Sequence, residues 1–543
     1  MTIDTSRFPF RRHALALTLA LTFSPANAAT INVNGDCTLV NAIHNANSDA
    51  DTDGANGCSA GSGADTLKLT GNAVYTLKTA NNTTALGPNG LPIVRSIITI
   101  NGNNATVKRS GAVSTPDFRL FHIAQQGNLT LNKLNLTNGS VPHDYDQGFF
   151  HGGGIFNRGI LTLNNSSVSG SASSDGGGIY NDAHGSVLLN KSTVSGNSAS
   201  AGGGIFSRGK LTLDNSTITG NACSSVGGGL YNRDTAILNN STVSNNSAGV
   251  WGGGFYSQGK ATLIGSTVSG NNTSDGSGGG ITIFGGNMML TNSTVSGNHA
   301  YRYGGGIHNL GKLTLANSTI SGNSAQKHGG GISFYEGGSV TLRNSLIANS
   351  SHEDCFHSST GYITLQGINI IEDGTCNAPI SGDPRLGPLL DNGGITKTQA
   401  LHTGSKAIDA ADNALCTNTD QRHIKRSQFA AGLCDIGAFE RMAIIPQSVS
   451  AIVQSFDSES ASGNIIGIGN FPLQKLEALR NQLLATGHYR SRNQNAQACS
   501  QLVRTLERID ADASPDGNDY VTGSSGYELI TQINMLGIDW ICN

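Results

Sequence analysis

The sequence predicts an all-β chain wound as a right-handed parallel β-helix, followed by a small α-helical C-terminal module. Three observations carry this. Glycine triplets begin at Gly152, Gly176, Gly202, Gly227, Gly252, Gly278, Gly304 and Gly329, so a unit of 24 to 26 residues recurs. Each unit runs close to G-G-G-I-aromatic-N-x-G-x-L-T-L-x-N-S-T-V-S-G-N-S-A, and its Leu211-Thr212-Leu213 and Ser216–Thr219 segments alternate with the period of a strand. No window inside a unit has the composition or the 3.6-residue spacing of a helix, which excludes ankyrin, leucine-rich and other helix-containing repeats.

A turn of this length, made of about three strands, must return to its start one strand spacing higher, roughly 4.8 Å. Parallel crossovers of this kind are almost always right-handed. Equivalent residues then stack in columns. Ile155, Ile179, Ile205, Leu230, Phe255, Ile281, Ile307 and Ile332 form one apolar column, and Val168, Val194, Ile218, Val243, Val268, Val295, Ile320 and Ile347 a second, both pointing inward. Ser166, Ser192, Ser216, Ser241, Ser266, Ser293, Ser318 and Ser345 form a third, with Asn165, Asn215, Asn240, Asn292, Asn317 and Asn344 beside it. Both polar rows are expected to be ladders in which each side chain bonds to its counterparts above and below. The glycines are expected where corners demand positive φ or close backbone approach.

In chain order, residues 1–28 are expected to be a secretory signal. Arg11 and Arg12 precede an apolar run from Ala14 to Phe23 and the small-x-small sequence Ala26-Asn27-Ala28. Residues 29–92 are expected to cap the first coil. Within them Leu39, Ala42, Ile43 and Ala46 share one face of a short helix from Thr38 to Asn47. Coils are expected over 93–380, a C-terminal cap over 381–445, and a helical tail over 446–543. In the tail, Leu473, Leu476, Leu479 and Leu483 suit one helix, Leu502, Val503, Leu506 and Ile509 a second, and Leu529, Ile530, Ile533 and Leu536 a third.

A formal net charge of −3 excludes the basic field that draws nucleic acid. No apolar run after the leader reaches the roughly 18 residues of a membrane span, and the tail lacks the alternating ten-residue strands of a membrane barrel. Nine cysteines in an exported chain suggest the local pairs Cys37–Cys58, Cys355–Cys376, Cys416–Cys434 and Cys499–Cys542, leaving Cys223 as a small apolar residue. No metal-binding spacing occurs, and no cofactor is expected.

The segment Cys37-Thr-Leu-Val-Asn-Ala-Ile43 resembles the "CSLREA" motif of bacterial surface β-helix proteins, with Val40 and Asn41 in place of its Arg-Glu pair. Asp383-Pro-Arg-Leu-Gly-Pro388, Asp391-Asn-Gly-Gly394, Ala407-Ile-Asp409, Asp420-Gln-Arg422 and Cys434-Asp-Ile-Gly-Ala-Phe-Glu440 closely resemble the "choice-of-anchor Q" domain. The Gly-Gly-Gly-Ile units are similar to those of polymorphic outer-membrane proteins within the pectin-lyase-like fold. These resemblances imply an exported, extracellular or cell-surface β-helix whose activity is generally undefined.

Enzymes of that fold gather acidic residues, Arg and Lys on the outer face of adjacent coils. No Asp-Asp, Gly-His-Gly or Arg-Ile-Lys motif of the hydrolase branch occurs, and Asp144, Asp146, Asp175 and Asp182 are spread between turns. No catalytic residue is assigned. Arg158, Asp182, Arg208, Arg233 and Gln258 occupy one equivalent position, a mixed-charge stripe that solvation explains equally well. Aromatics entering the glycine corner are more pointed: Tyr145, Phe149, Phe150 and His151, then Trp251, Tyr301, Tyr303 and His328. Exposed, they offer flat platforms for sugar rings or a protein; folded over the coil, they close the stack, and packing is the favoured reading. His151, Trp251, Tyr301 and Tyr303 are the candidate ligand residues. The sequence favours a secreted or surface binding or adhesion protein contacting polysaccharide or a neighbouring cell surface, over a diverged polysaccharide lyase or glycoside hydrolase.

Overall fold

The computed structural model describes residues 28–441 apart from 50–56, 142–149, 336, 360, 403 and 427–432, together with segments between 452 and 533. The chain winds into a parallel β-solenoid of about ten turns. Each regular turn has four strands rather than three, because the Ser-Ala pair before the glycine corner adds a short one. Strands equivalent to Ile155–Asn157 form an aromatic sheet, those equivalent to Ile160–Asn164 a leucine sheet, and those equivalent to Ser167–Ser169 a hydroxyl sheet. The short strands, from Ser140–Val141 to Ser324–Ala325, form an eight-stranded sheet.

The register is the one the columns predict. Ile155 pairs with Ile179 and Val168 with Val194, and so on up the stack. Both apolar columns are buried in one continuous core. The first glycine of each triplet turns the corner in the left-handed region, as Gly202 does at φ 60°. The second is a close approach: a Cβ on Gly203 would collide with the carbonyl oxygens of Ala222 and Gly228.

The serine column is a ladder of a different kind from that expected. Each hydroxyl accepts from the backbone N–H of the coil below, as Ser216 Oγ does from Ser192 N at 3.0 Å, and donates to a carbonyl two residues earlier, as Ser216 does to Asp214 O. The asparagine row beside it is not a ladder. Asn165, Asn215, Asn240, Asn292, Asn317 and Asn344 have φ of 45–49°, and Lys191 and Gly265 take the same corner. Asparagine is there because it tolerates the left-handed conformation. The amide ladder runs instead through Asn197, Asn221, Asn246, Asn271, Asn298 and Asn323, each Nδ2 donating to the next Oδ1 at 2.9–3.0 Å.

The parallel ladder begins well before residue 93. Thr30–Val33 pairs with Ala64–Leu69, which pairs with Ile97–Arg109. Helix α1 (Leu39–Ser48) lies over this first rung with Leu39, Ala42, Ile43 and Ala46 buried. Thr38 caps it, accepting from Asn41 N at 3.2 Å. The last rung is closed by the Cys355–Cys376 loop, with Cys376 in the core. Cys37 is bonded to Cys58 and Cys416 to Cys434. Cys499 is disulfide-bonded too, but its expected partner Cys542 lies outside the described residues. Cys223 is free and buried.

Residues 381–441 do not cover the end of the stack. They form a layer along the flank, over the outside of the hydroxyl sheet in the later coils. There Leu346, Ala348 and Ile370 replace outward Ser and Thr and pack against Leu401, Ile436 and Phe439. The layer has little regular structure and is held by buried ion pairs: Arg422–Asp420 at 2.7 Å and Arg426–Glu440 at 3.1 Å, with Arg422 3.5 Å above the Phe439 ring. Burial beside Glu440 pushes the Asp435 carboxyl up to about 7.

Two tail helices are described, α2 (Pro472–Ser491) and α3 (Asn495–Leu506). Leu479, Leu483, Leu502, Ile509 and Ile533 are buried. Most of the third expected helix, and the expected signal before Ala28, lie outside the described residues. Among the described residues no helix is long and apolar enough to cross a membrane.

Candidate functional site

The glycine corner delivers the chain onto the aromatic sheet, and the outer side of that sheet gathers most of the predicted residues. Residues just before the triplets form one rank: His151, Asp175, Ala201, Val226, Trp251, Ser277, Tyr303 and His328, bridged in parallel at His151–Asp175, Val226–Trp251–Ser277 and Tyr303–His328. Residues just after the sheet form another, with Arg158, Asp182, Arg208, Arg233 and Gln258 in successive coils.

Between the two ranks runs a floor that the sequence reading missed. Phe156, Tyr180, Phe206, Tyr231 and Tyr256 stand one above another, 3–8% exposed. Tyr180 stacks on Phe156 at 5.4 Å and 7°, and Phe206 on Tyr180 at 5.2 Å and 17°. The signal was in the repeat itself, as the aromatic after each Gly-Gly-Gly-Ile. Alternation along a strand puts that residue outside whenever its neighbour faces the core.

The stack breaks at Tyr231, tilted 57° to Phe206 and 84° to Tyr256, and Trp251 starts another, nearly parallel to Tyr256 and Phe284 with interplanar angles of 15° and 24°. Tyr303 stacks on His328 at 6.2 Å and meets Tyr335 edge-on at 5.3 Å. His151 lies flat on Tyr180 at 4.4 Å. These rings therefore lean on their neighbours from coil to coil. Tyr301, 41% exposed, does not join them; among the described residues it stacks on no ring.

The charges of this face are unevenly held. Arg158 Nε meets Asp182 Oδ2 at 3.2 Å, and His151 Nδ1 lies 3.3 Å from Asp175 Oδ2. Burial pushes Asp175 up to about 6 against the opposing pull of Arg233 and Arg208. Burial, with help from Arg119, pushes His151 down to about 4, so at neutral pH the imidazole is uncharged. Below them Arg119 lies 5.1 Å from the Phe156 ring centre and donates to Asn89 Oδ1 at 2.9 Å. Arg208 and Arg233 are exposed. Among the described residues no cluster of His, Cys, Asp or Glu is arranged to hold a metal ion. Asp144, Asp146, Tyr145 and Phe149 lie outside the described residues.

Residues 154–317, which carry most of this face, match the family described as right handed beta helix region. Residues 317–335 match the Chlamydia polymorphic membrane protein repeat. The chain is thus a right-handed β-helix protein related to polymorphic membrane protein repeats. Among solved structures, the crystal structure of pectate lyase Pel9A is similar at 15% identity, over 70% of this chain and 88% of that one, with a TM-score of 0.39. No curated protein matches the chain.

Proposed function

We propose that the protein is a secreted or cell-surface binding protein, adhesin-like, that holds a polysaccharide of a host or neighbouring cell along the aromatic face. The observation that carries this is the repetition of one chemical pattern at coil spacing: aromatic rings down the middle, and Arg158, Asp182, Arg208 and Arg233 along one side. Groups recurring about every 4.8 Å on a rigid support match a polymer better than a small molecule. The kinship with polymorphic membrane protein repeats and the disulfides Cys37–Cys58, Cys355–Cys376 and Cys416–Cys434 suit a protein working in an oxidising, extracellular setting.

The purified protein, applied to a glycan array and to whole cells, is expected to be retained. The His151→Ala/Trp251→Ala/Tyr303→Ala and Arg208→Ala/Arg233→Ala variants should each lose that retention, whereas Tyr301→Ala alone should keep it. Full retention by both multiple variants would remove this face from consideration. Reproducible release of reducing ends or unsaturated uronates by the pure protein, with or without calcium, would replace binding by catalysis.

A further inference from the structure

The outer side of the hydroxyl sheet is a second surface, unlike the first. Its strands present two ranks of hydroxyls in register: Ser167, Thr193, Thr217, Thr242 and Thr267 in one, Ser169, Ser195, Thr219, Ser244 and Ser269 in the other. Corresponding hydroxyls recur about every 4.8 Å along the axis, and the two ranks lie about 6.6 Å apart, two residues along a strand. No charged or large apolar side chain interrupts either rank.

In the later coils the chain itself shows what these ranks do. Thr267 Oγ1 donates to Lys397 O at 2.7 Å and accepts from Gln421 Nε2 at 2.9 Å. Thr294 Oγ1 donates to Gln421 Oε1 at 2.6 Å, and Thr319 Oγ1 accepts from Ala438 N at 3.0 Å. Between them these hydroxyls give hydrogen bonds, from Thr267 and Thr294, and receive them, at Thr267 and Thr319, from the chain that covers them. The same ranks continue uncovered from Thr242 down to Ser167. Where the covering layer stops, a cleft of about 520 Å³ opens, with Thr242, Ser244 and Ser269 on its floor and Ile395 and Lys397 on its overhang.

We propose that an uncharged, hydroxyl-rich polysaccharide chain lies along these ranks and runs into the cleft beneath the overhang, independently of any ligand on the aromatic face. Two features choose this occupant. The covering layer is anchored by the apolar Leu346, Ala348 and Ile370, and the uncovered coils offer no such anchor for a polypeptide to bury. An acidic polymer would find no cation in either rank, and in the cleft Lys397 is accompanied by the acidic Asp391, whereas a neutral glycan finds hydroxyls that accept and donate as its own do. From Ser167 to Ser269 the ranks extend over four steps, about 19 Å, enough for several sugar units.

The test is retention of the full chain on cellulose, chitin and cross-linked dextran, with polygalacturonate as the acidic comparison. Wild type is expected to be retained on at least one neutral matrix, with no competition from soluble polygalacturonate. Thr193→Val/Thr217→Val/Thr242→Val keeps the branched shape but removes three hydroxyls. At about fivefold per hydrogen bond it should weaken retention about a hundredfold. Thr193→Ser/Thr217→Ser/Thr242→Ser, which keeps the hydroxyls, should bind as wild type. Circular dichroism and a thermal melt establish that the valine variant is folded. Unchanged binding by that folded variant, absence of retention on every neutral matrix, or a wild-type dimer that the valine substitutions dissociate would each overturn the proposal.

Discussion

Asn246→Ala tests whether the buried amide ladder holds adjacent coils together. Asn246 donates to Asn271 Oδ1 at 3.0 Å and to Ile218 O at 3.1 Å, and accepts from Asn221 N at 2.9 Å and Asn221 Nδ2 at 3.0 Å. It is 1% exposed, so water cannot replace these bonds without opening the coil. Four hydrogen bonds at about 1 kcal/mol net each, with the Asn221 N–H left buried and unpaired, give a loss of about 4 kcal/mol. Asn215→Gly is the counterpart, at φ 49° in the corner row, where Gly265 already stands two coils later. Glycine adopts that conformation without strain, so the change should stay within about 1 kcal/mol of wild type. Guanidinium unfolding followed by far-ultraviolet circular dichroism measures both. A loss below about 1 kcal/mol for Asn246→Ala, or an equal loss for Asn215→Gly, would refute the distinction between the two asparagine rows.

Gln421→Ala removes bonds to Thr267, Thr294, Thr396 and Lys397. It should therefore free the flank layer, seen as faster proteolysis within 381–441 while the solenoid resists. Cys37→Ser/Cys58→Ser opens a link across 21 residues and should cost about 3 kcal/mol by loop-closure entropy, read from the guanidinium midpoint. His308, buried and pushed down to about 4, favours the fold fully above pH 6.5 and loses that contribution as pH falls toward 4, because the unfolded chain takes the proton first. His308→Gln should accordingly flatten the stability profile between pH 4 and 6.5; an unchanged slope would show that His308 protonates freely in the folded chain.

The solenoid was legible in the sequence because each turn repeats the same physical demands. Ile155 and Val168 head columns that alternate cleanly, and Gly202 marks a corner only glycine turns easily. The two asparagine rows could not be separated by residue type, since one needs an amide and the other a left-handed backbone. The hint lay in which residues intrude and where: Lys191 and Gly265 enter the corner row in mid-stack, whereas the ladder row is unbroken from Asn197 through Asn323 and gives way to Ser171 and Ser350 only in the first and last triplet units. The flank layer was missed for a related reason. Leu346, Ala348 and Ile370 stand where earlier coils present Ser or Thr, which signals a covered face, but the cover is separated from them by up to about 90 residues of irregular chain. At the candidate site, His151, Trp251 and Tyr303 were found by their place before the corner. The Phe156–Tyr256 floor they rest on required knowing which side of the strand faces out.

Every rung of the serine and asparagine ladders bonds within itself or to the rung directly above or below it. One full unit, for instance 202–226, is therefore removable with its neighbours' partners still in register, and an extra unit can be spliced in the same way. Length is thus a free variable of this architecture, a ruler whose graduations are set one unit at a time. Its reach changes while the seat of the flank layer, farther along, stays as it is.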